Sequence, residues 1–383
     1  TERVREMASD RKKRYTFFTD IRRRNLLYVD KTDMIADLAG FHQSFFLTRP
    51  PGFGRTLLLS AFESFFSQGP QAFKGLKGGE AQLDGLYSTV RLDFSTAGNF
   101  TDLTDFESKF CCIIQDGFGK DGFQSNSNNA VDLCEELSSW LRQQPEDSIV
   151  LLIDDYDAPL LSALANWSLL LKVRIILADF YSIIKYGEPI WRFFLISGIT
   201  KFIQSDIFGG LNICTDLSAI PKYGSLLGFT DEELDFYFDD RLKIAAAALG
   251  MSPEEVRIRL RGCYGGYCFE QTLKHHVYSP SSVLKFLSSP ELGFKNYRME
   301  REGKSSALVN CIKEHSLSNL SNFNEEIPIP VRELDFPQDI DRISELVLLT
   351  QYGFLTVGRI EGGTAFLQIP NKESRQFIEH HYS

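Results

Sequence analysis

The chain has 383 residues, 43% of them hydrophobic, enough to bury a sizeable core in two or three domains. Its 41 basic and 51 acidic residues leave a formal charge of -10, which excludes a surface dominated by non-specific phosphate contacts and leaves nucleic acid a disfavoured partner. No apolar run is long enough to cross a bilayer, the first residues lack the layout of a signal peptide, and seven cysteines without a paired framework fit a reducing compartment, so a cytoplasmic protein with no membrane contact is expected.

The chain opens with an arm, 1–25, whose basic residues Arg11, Lys12, Lys13, Arg14, Arg22, Arg23 and Arg24 read as a solvated face or as a phosphate contact. From 26 to 220 apolar runs of strand length alternate with helical patterns. The runs are Phe45 to Thr48, Thr89 to Phe94, Ile149 to Asp154 and Phe193 to Ser197. Leu57 to Leu59 with Phe62, Phe65 and Phe66 form one helical face after the first run, and Ala130 to Leu141 and Leu169 to Ile184 flank the third. Alternating strands and helices predict an α/β core with a parallel sheet. The Gly, Ser and Asn of Lys120 to Asn129 predict a surface loop.

Beyond about Pro221 the strand runs stop, and 221–303 reads as a helical unit. Its first helix, Asp231 to Leu249, starts at the N-cap Thr230 with Glu233 completing a capping box. In 304–383 a helical stretch is followed by Ile340 to Thr350, then Tyr352 to Val357, a turn at Glu361-Gly362-Gly363 and Ala365 to Ile369. Helix then hairpin is the pattern of a winged-helix unit.

Chemistry concentrates at two strand ends. The first strand runs into Arg49-Pro50-Pro51-Gly52-Phe53-Gly54-Arg55-Thr56 and then a helix. That is where backbone N–H groups and a helix dipole hold phosphates, a cation reaches the β- and γ-phosphates, and a hydroxyl ligates Mg²⁺. Gly54 and Thr56 match the end of such a Walker A loop, whereas Arg49 stands for its first glycine and Arg55 for its lysine. A plain structural turn with two glycines reads the same way. The third strand ends in Asp154 and Asp155. As a Walker B strand, Asp154 would hold Mg²⁺ and Asp155 would polarise the attacking water; the alternative is that both cap the loop carrying Asp157 and Pro159. The fourth strand leads to Ser197, Thr200 and Lys201, any of which could sense the γ-phosphate.

The blocks Tyr28-Val29-Asp30-Lys31-Thr32, Arg49 to Thr56, Asp154-Asp155-Tyr156-Asp157-Ala158-Pro159-Leu160, Phe208 to Asn212, Leu227 to Thr230, Tyr264 to Phe269, Tyr352 to Thr356 and Ile369 to Glu373 resemble those of the AAA-ATPase-like proteins associated with PD-(D/E)XK nucleases. The resemblance implies a P-loop NTPase core, a helical lid and a winged-helix-like unit, with ATP and Mg²⁺ as ligands. It also implies Lys at position 55 and Glu at position 155, so Arg55 and Asp155 are departures that keep charge and change reach. Glu107-Ser108-Lys109 and Glu302-Gly303-Lys304 follow no apolar strand, so no nuclease site is expected. The reading is an ATP-binding regulatory module with a degenerate P-loop, slow or residual hydrolysis and a nucleotide-dependent switch or assembly, partnered by a protein or by itself. The alternative is a pseudo-ATPase scaffold that binds a protein partner without turnover.

Overall fold

Phe45, Phe46 and Leu47 send alternate side chains to opposite faces of one strand, β1 (Ser44–Thr48), and every position of it is buried. The same holds for β3 (Ile149–Asp154) and β4 (Trp191–Gly198). In this computed structural model, which describes residues 17–202, 213–302, 325–335 and 344–382, these strands lie in a five-stranded parallel sheet. The order is β2-β3-β4-β1-β5, with β2 at Ser88–Asp93 and β5 at Thr215–Asp216. β4 therefore separates β1 from β3, and β2, which lies between them in the chain, takes the far edge. The basic cluster Arg11 to Arg14, the Phe208 to Asn212 block, the stretch beginning at Lys304 and the first residues of the segment from Ile340 lie outside the described residues.

Alternation fixes two cores. Phe45, Leu47, Val150, Leu152, Phe193 and Leu195 face one side; Phe46, Leu151, Ile153, Phe194 and Ile196 face the other. On the first side lie α1 (Phe18–Arg23), α2 (Thr32–Ala39) and α3 (Arg55–Gln68), and the rings of Phe62 and Phe193 stack at 5.0 Å between centroids. On the second lie α4 (Leu103–Gly119), α5 (Ala130–Leu141), α6 (Ala158–Ala163) and α7 (Trp167–Tyr186). Glu107-Ser108-Lys109 falls within α4.

A third core joins α8 (Asp231–Leu249), α9 (Pro253–Tyr264), α10 (Pro280–Ser288) and α11 (Tyr297–Glu302). The capping box of Thr230 and Glu233 forms as the sequence predicts, and Gly250 ends α8 in the left-handed region. Glu233 has a second task, because its other oxygen pairs at 2.5 Å with Lys31, just before α2. Strands do not stop at Pro221. β6 (Tyr267–Cys268) and β7 (His276–Val277) form a short antiparallel ladder among these helices. After α12 (Val331–Asp335) and α13 (Glu345–Gln351) comes the hairpin β9 (Thr356–Glu361) and β10 (Thr364–Gln368), to which β8 (Ile327–Pro330) adds a third strand. The last helix, α14 (Lys372–Tyr382), packs on α9 and α11. Among the described residues no helix is long and apolar enough to cross a membrane.

Candidate functional site

The turn from β1 into α3 needs backbone conformations that side chains resist: Gly52 has φ +85° and Gly54 φ +98°. Gly54 is the N-cap and offers no side chain, and the first helical bond it accepts comes from Leu58. The N–H groups of Arg55, Thr56 and Leu57 thus lack intrahelical acceptors at the positive end of a 14-residue helix, the arrangement that binds anions. Phe53 contributes only backbone to that face. Its ring is buried against Tyr267 and Phe269, edge-on at 5.0 and 5.2 Å.

Arg49, where a Walker loop begins with glycine, is a strut. It is fully buried, donates to the carbonyls of Thr48, Ser218 and Tyr223, and lies over the Phe269 ring. Burial pulls its pKa down to about 10. The far side of the loop is held by later parts of the chain: Ser281 N–H donates to the Gly52 carbonyl, and Gly353 (φ +76°) packs so closely that a Cβ there would lie 2.8 Å from Pro50 Cγ.

Opposite the loop, β3 delivers its two acids. Asp154 is completely buried; its Oδ1 accepts from Ser197 Oγ at 3.0 Å and from Asp155 N–H at 3.1 Å, while Oδ2 has no hydrogen-bond partner among the described residues. Burial, then the charge of Asp155, pushes its pKa up; Arg55 and the Thr56 hydroxyl beside it oppose this. Asp155 sits in the left-handed region at φ +49°, where Asp is one of the few tolerated side chains. Its Oδ1 accepts directly from Arg55 Nη2. Arg55 Nη1 donates to the Arg49 carbonyl at 2.5 Å, so the guanidinium straps the end of the loop to its beginning. Burial would lower the Arg55 pKa, but Asp155, Asp154 and Asp157 together hold it above its ordinary value.

Of the three residues considered as sensors, the structure brings only Ser197 onto the acidic pair. Lys201 pairs with Asp216 at 3.0 Å. The Thr200 hydroxyl donates at 2.6 Å to Asp157 Oδ2, which also accepts from the N–H groups of Ile199 (3.0 Å) and Thr200 (2.6 Å). Tyr156 donates from its hydroxyl to the Thr200 carbonyl at 2.8 Å. Asp157 and Tyr156 therefore clamp the turn after β4. In the sequence Asp157 reads as part of the loop after the strand; its place two positions beyond a buried strand end is the signal that sets it inside.

Burial raises the Asp157 pKa to about 6, the hydrogen bonds from Thr200 opposing. The folded state thus holds this proton more tightly than the unfolded chain does. Stability from Asp157 is highest below the unfolded value, 3.8, and falls as pH rises to about 6. Over that window the loss is on the order of 3 kcal/mol. Asp157→Asn keeps an oxygen acceptor and removes the titration. Urea unfolding should show the variant gaining on the wild type between pH 4 and 7; a constant difference would refute the assignment.

The described residues fit a nucleotide with Mg²⁺: a buried carboxylate oxygen without a hydrogen-bond partner among them, a hydroxyl beside it, and N–H groups without intrahelical acceptors at a helix start. Residues 15–208 match the protein family described as predicted AAA-ATPase. The chain is 27% identical over 335 residues to an uncharacterized protein from the vnfD 5' region of Azotobacter chroococcum mcd 1; the match covers 87% of this chain and 61% of the relative's length.

Proposed function

Because the chain belongs to the AAA-ATPase-like family, we propose that it is a regulatory module that binds ATP with Mg²⁺ on the 49–56 loop and hydrolyses it slowly. The observation that carries this reading is the meeting of that loop with the end of β3: the open N–H groups of α3, Thr56 and the partnerless Oδ2 of Asp154 face one site. Gly52, Gly54, Arg55 and Thr56 with the Phe53 backbone would cradle the phosphates, and Thr56 and Asp154 would hold the Mg²⁺. The ion, when bound, supplies positive charge to the β- and γ-phosphates. Asp155 would orient the attacking water and Ser197 would report on the γ-phosphate, with Thr200 and Lys201 keeping the turn in place. The α8–α11 helices act as a lid and the β8–β10 unit as a winged-helix-like arm, both moved through Gly52, Phe53 and Pro50, which they touch. The direct Arg55–Asp155 pair favours a second reading, a scaffold that binds a protein partner without turnover, since the loop's cation is already neutralised.

Calorimetry with Mg·ATP separates the two. The wild type should show saturable binding and Gly54→Val should lose it. A Cβ at Gly54 has room, its nearest neighbour being Leu227 Cδ2 at 3.9 Å, so the damage comes from forcing a β-branched residue to φ +98°. Equal affinities in the two proteins would sink the loop assignment.

A further inference from the structure

The guanidinium of Arg55 lies across the loop it is meant to serve. One nitrogen is bound to the Arg49 carbonyl at the loop's start and another to Asp155 at the end of β3. The side chain is nearly inaccessible, whereas Asp155 on its outer side is about a quarter exposed. Three carboxylates, those of Asp155, Asp154 and Asp157, act on this one cation. Asp154 and Asp157 are buried, each with one oxygen that no described group satisfies.

We propose that Asp155 is a specificity-determining gate: it holds Arg55 across the loop and admits a di- or triphosphate only when the ligand arrives complexed with a divalent cation. The inference rests on the phosphate-loop reading above. A polyphosphate that takes up Nη2 of Arg55 must draw it from Asp155. Without a metal, the exchange sets the ligand's charge against three carboxylates from which a shared cation has been drawn away, in a site where water screens poorly. A metal-complexed ligand brings replacement positive charge to the oxygens that Arg55 leaves. The backbone conformation suits the gate, because Asp tolerates φ +49° and is short enough to end at the guanidinium.

The test is the affinity of ADP, which keeps hydrolysis out of the measurement, with Mg²⁺ and in EDTA. Asp155→Asn keeps the left-handed backbone and removes the charge; Asp155→Ser is a second, smaller replacement. Both should bind ADP in EDTA about tenfold or more tighter than the wild type, the range seen when a close charge is removed from a poorly screened site, with a much smaller gain for Mg·ADP. Wild type that binds Mg·ADP, with neither variant gaining in EDTA, would overturn the gate and leave the loop reading intact. Variants that bind ADP in EDTA while the wild type binds neither form would overturn the metal-dependent gate, because Asp155 would then close the loop to the metal complex as well, and would reject the wild type as a nucleotide module. No binding of either form by any of the three proteins would overturn both.

Discussion

Arg298→Ala should lower the unfolding free energy by about 4 kcal/mol, the cost of breaking a buried charged network by removing one partner. Arg298 is 1% exposed and donates to the Gly353 carbonyl at 2.9 Å, to Tyr267 Oη at 3.1 Å and to the Tyr352 carbonyl, with its charge over the Phe354 ring. The same cation faces Glu373 at the start of α14, whose carboxylate accepts from Ser282 Oγ, Tyr297 N–H and Arg298 N–H. Burial already pushes the Glu373 pKa up, and loss of Arg298 would remove a cation that opposes the rise. The effect should reach the loop, because Tyr267 packs on Phe53 and Gly353 on Pro50. Urea unfolding monitors the first part. A loss under about 1 kcal/mol, the scale of an exposed pair, would show that the network does not carry the junction.

The largest gain in activity is expected from the double change Arg55→Lys with Asp155→Glu. The two departures from the family resemblance compensate one another: a longer cation meets a shorter acid, and they close directly on each other. A compact ammonium beside the β- and γ-phosphates and a carboxylate that reaches the attacking water should raise ATP turnover by roughly 10²-fold, the scale of one restored transition-state contact. Each single change should recover less than the pair, since both groups act on one transition state. The gain carries a cost in stability of about 1 kcal/mol, because Glu is less at home than Asp at φ +49°. Phosphate release no faster than that of Asp154→Ala would place the cause of a quiet site elsewhere and favour the scaffold reading.

Much of the core was legible because its signals are local. β3 is an unbroken apolar run stopped by two acids, and α8 carries its start in Thr230 and Glu233 and its end in Gly250. β5 was not legible: two residues, Thr215 and Asp216, have no pattern of their own and become a strand only by lying along β1. β8 was hidden by prolines at 328 and 330, tolerated because among the described residues it pairs on one side only, with β10. In the site, residue identities could be read from the loop and strand motifs, but pairings could not. Arg49 as a strut depends on carbonyls at 218 and 223, and Asp157 as a clamp depends on a turn more than 40 residues away. The Arg55–Asp155 contact spans 100 residues. Such roles follow from which strand ends the sheet order places together, which no local window contains.

On the reading proposed above, the 49–56 loop, facing Asp154 and Asp155, is where this chain takes a nucleotide. Amide hydrogen exchange with and without Mg·ATP tests it most directly. Ligand should slow exchange at Gly52 to Leu57, whose N–H groups would turn from water to phosphate, with a second effect at Asp155 to Asp157. Exchange at these amides that is unchanged by saturating Mg·ATP, or protection confined to other parts of the chain, would contradict the account.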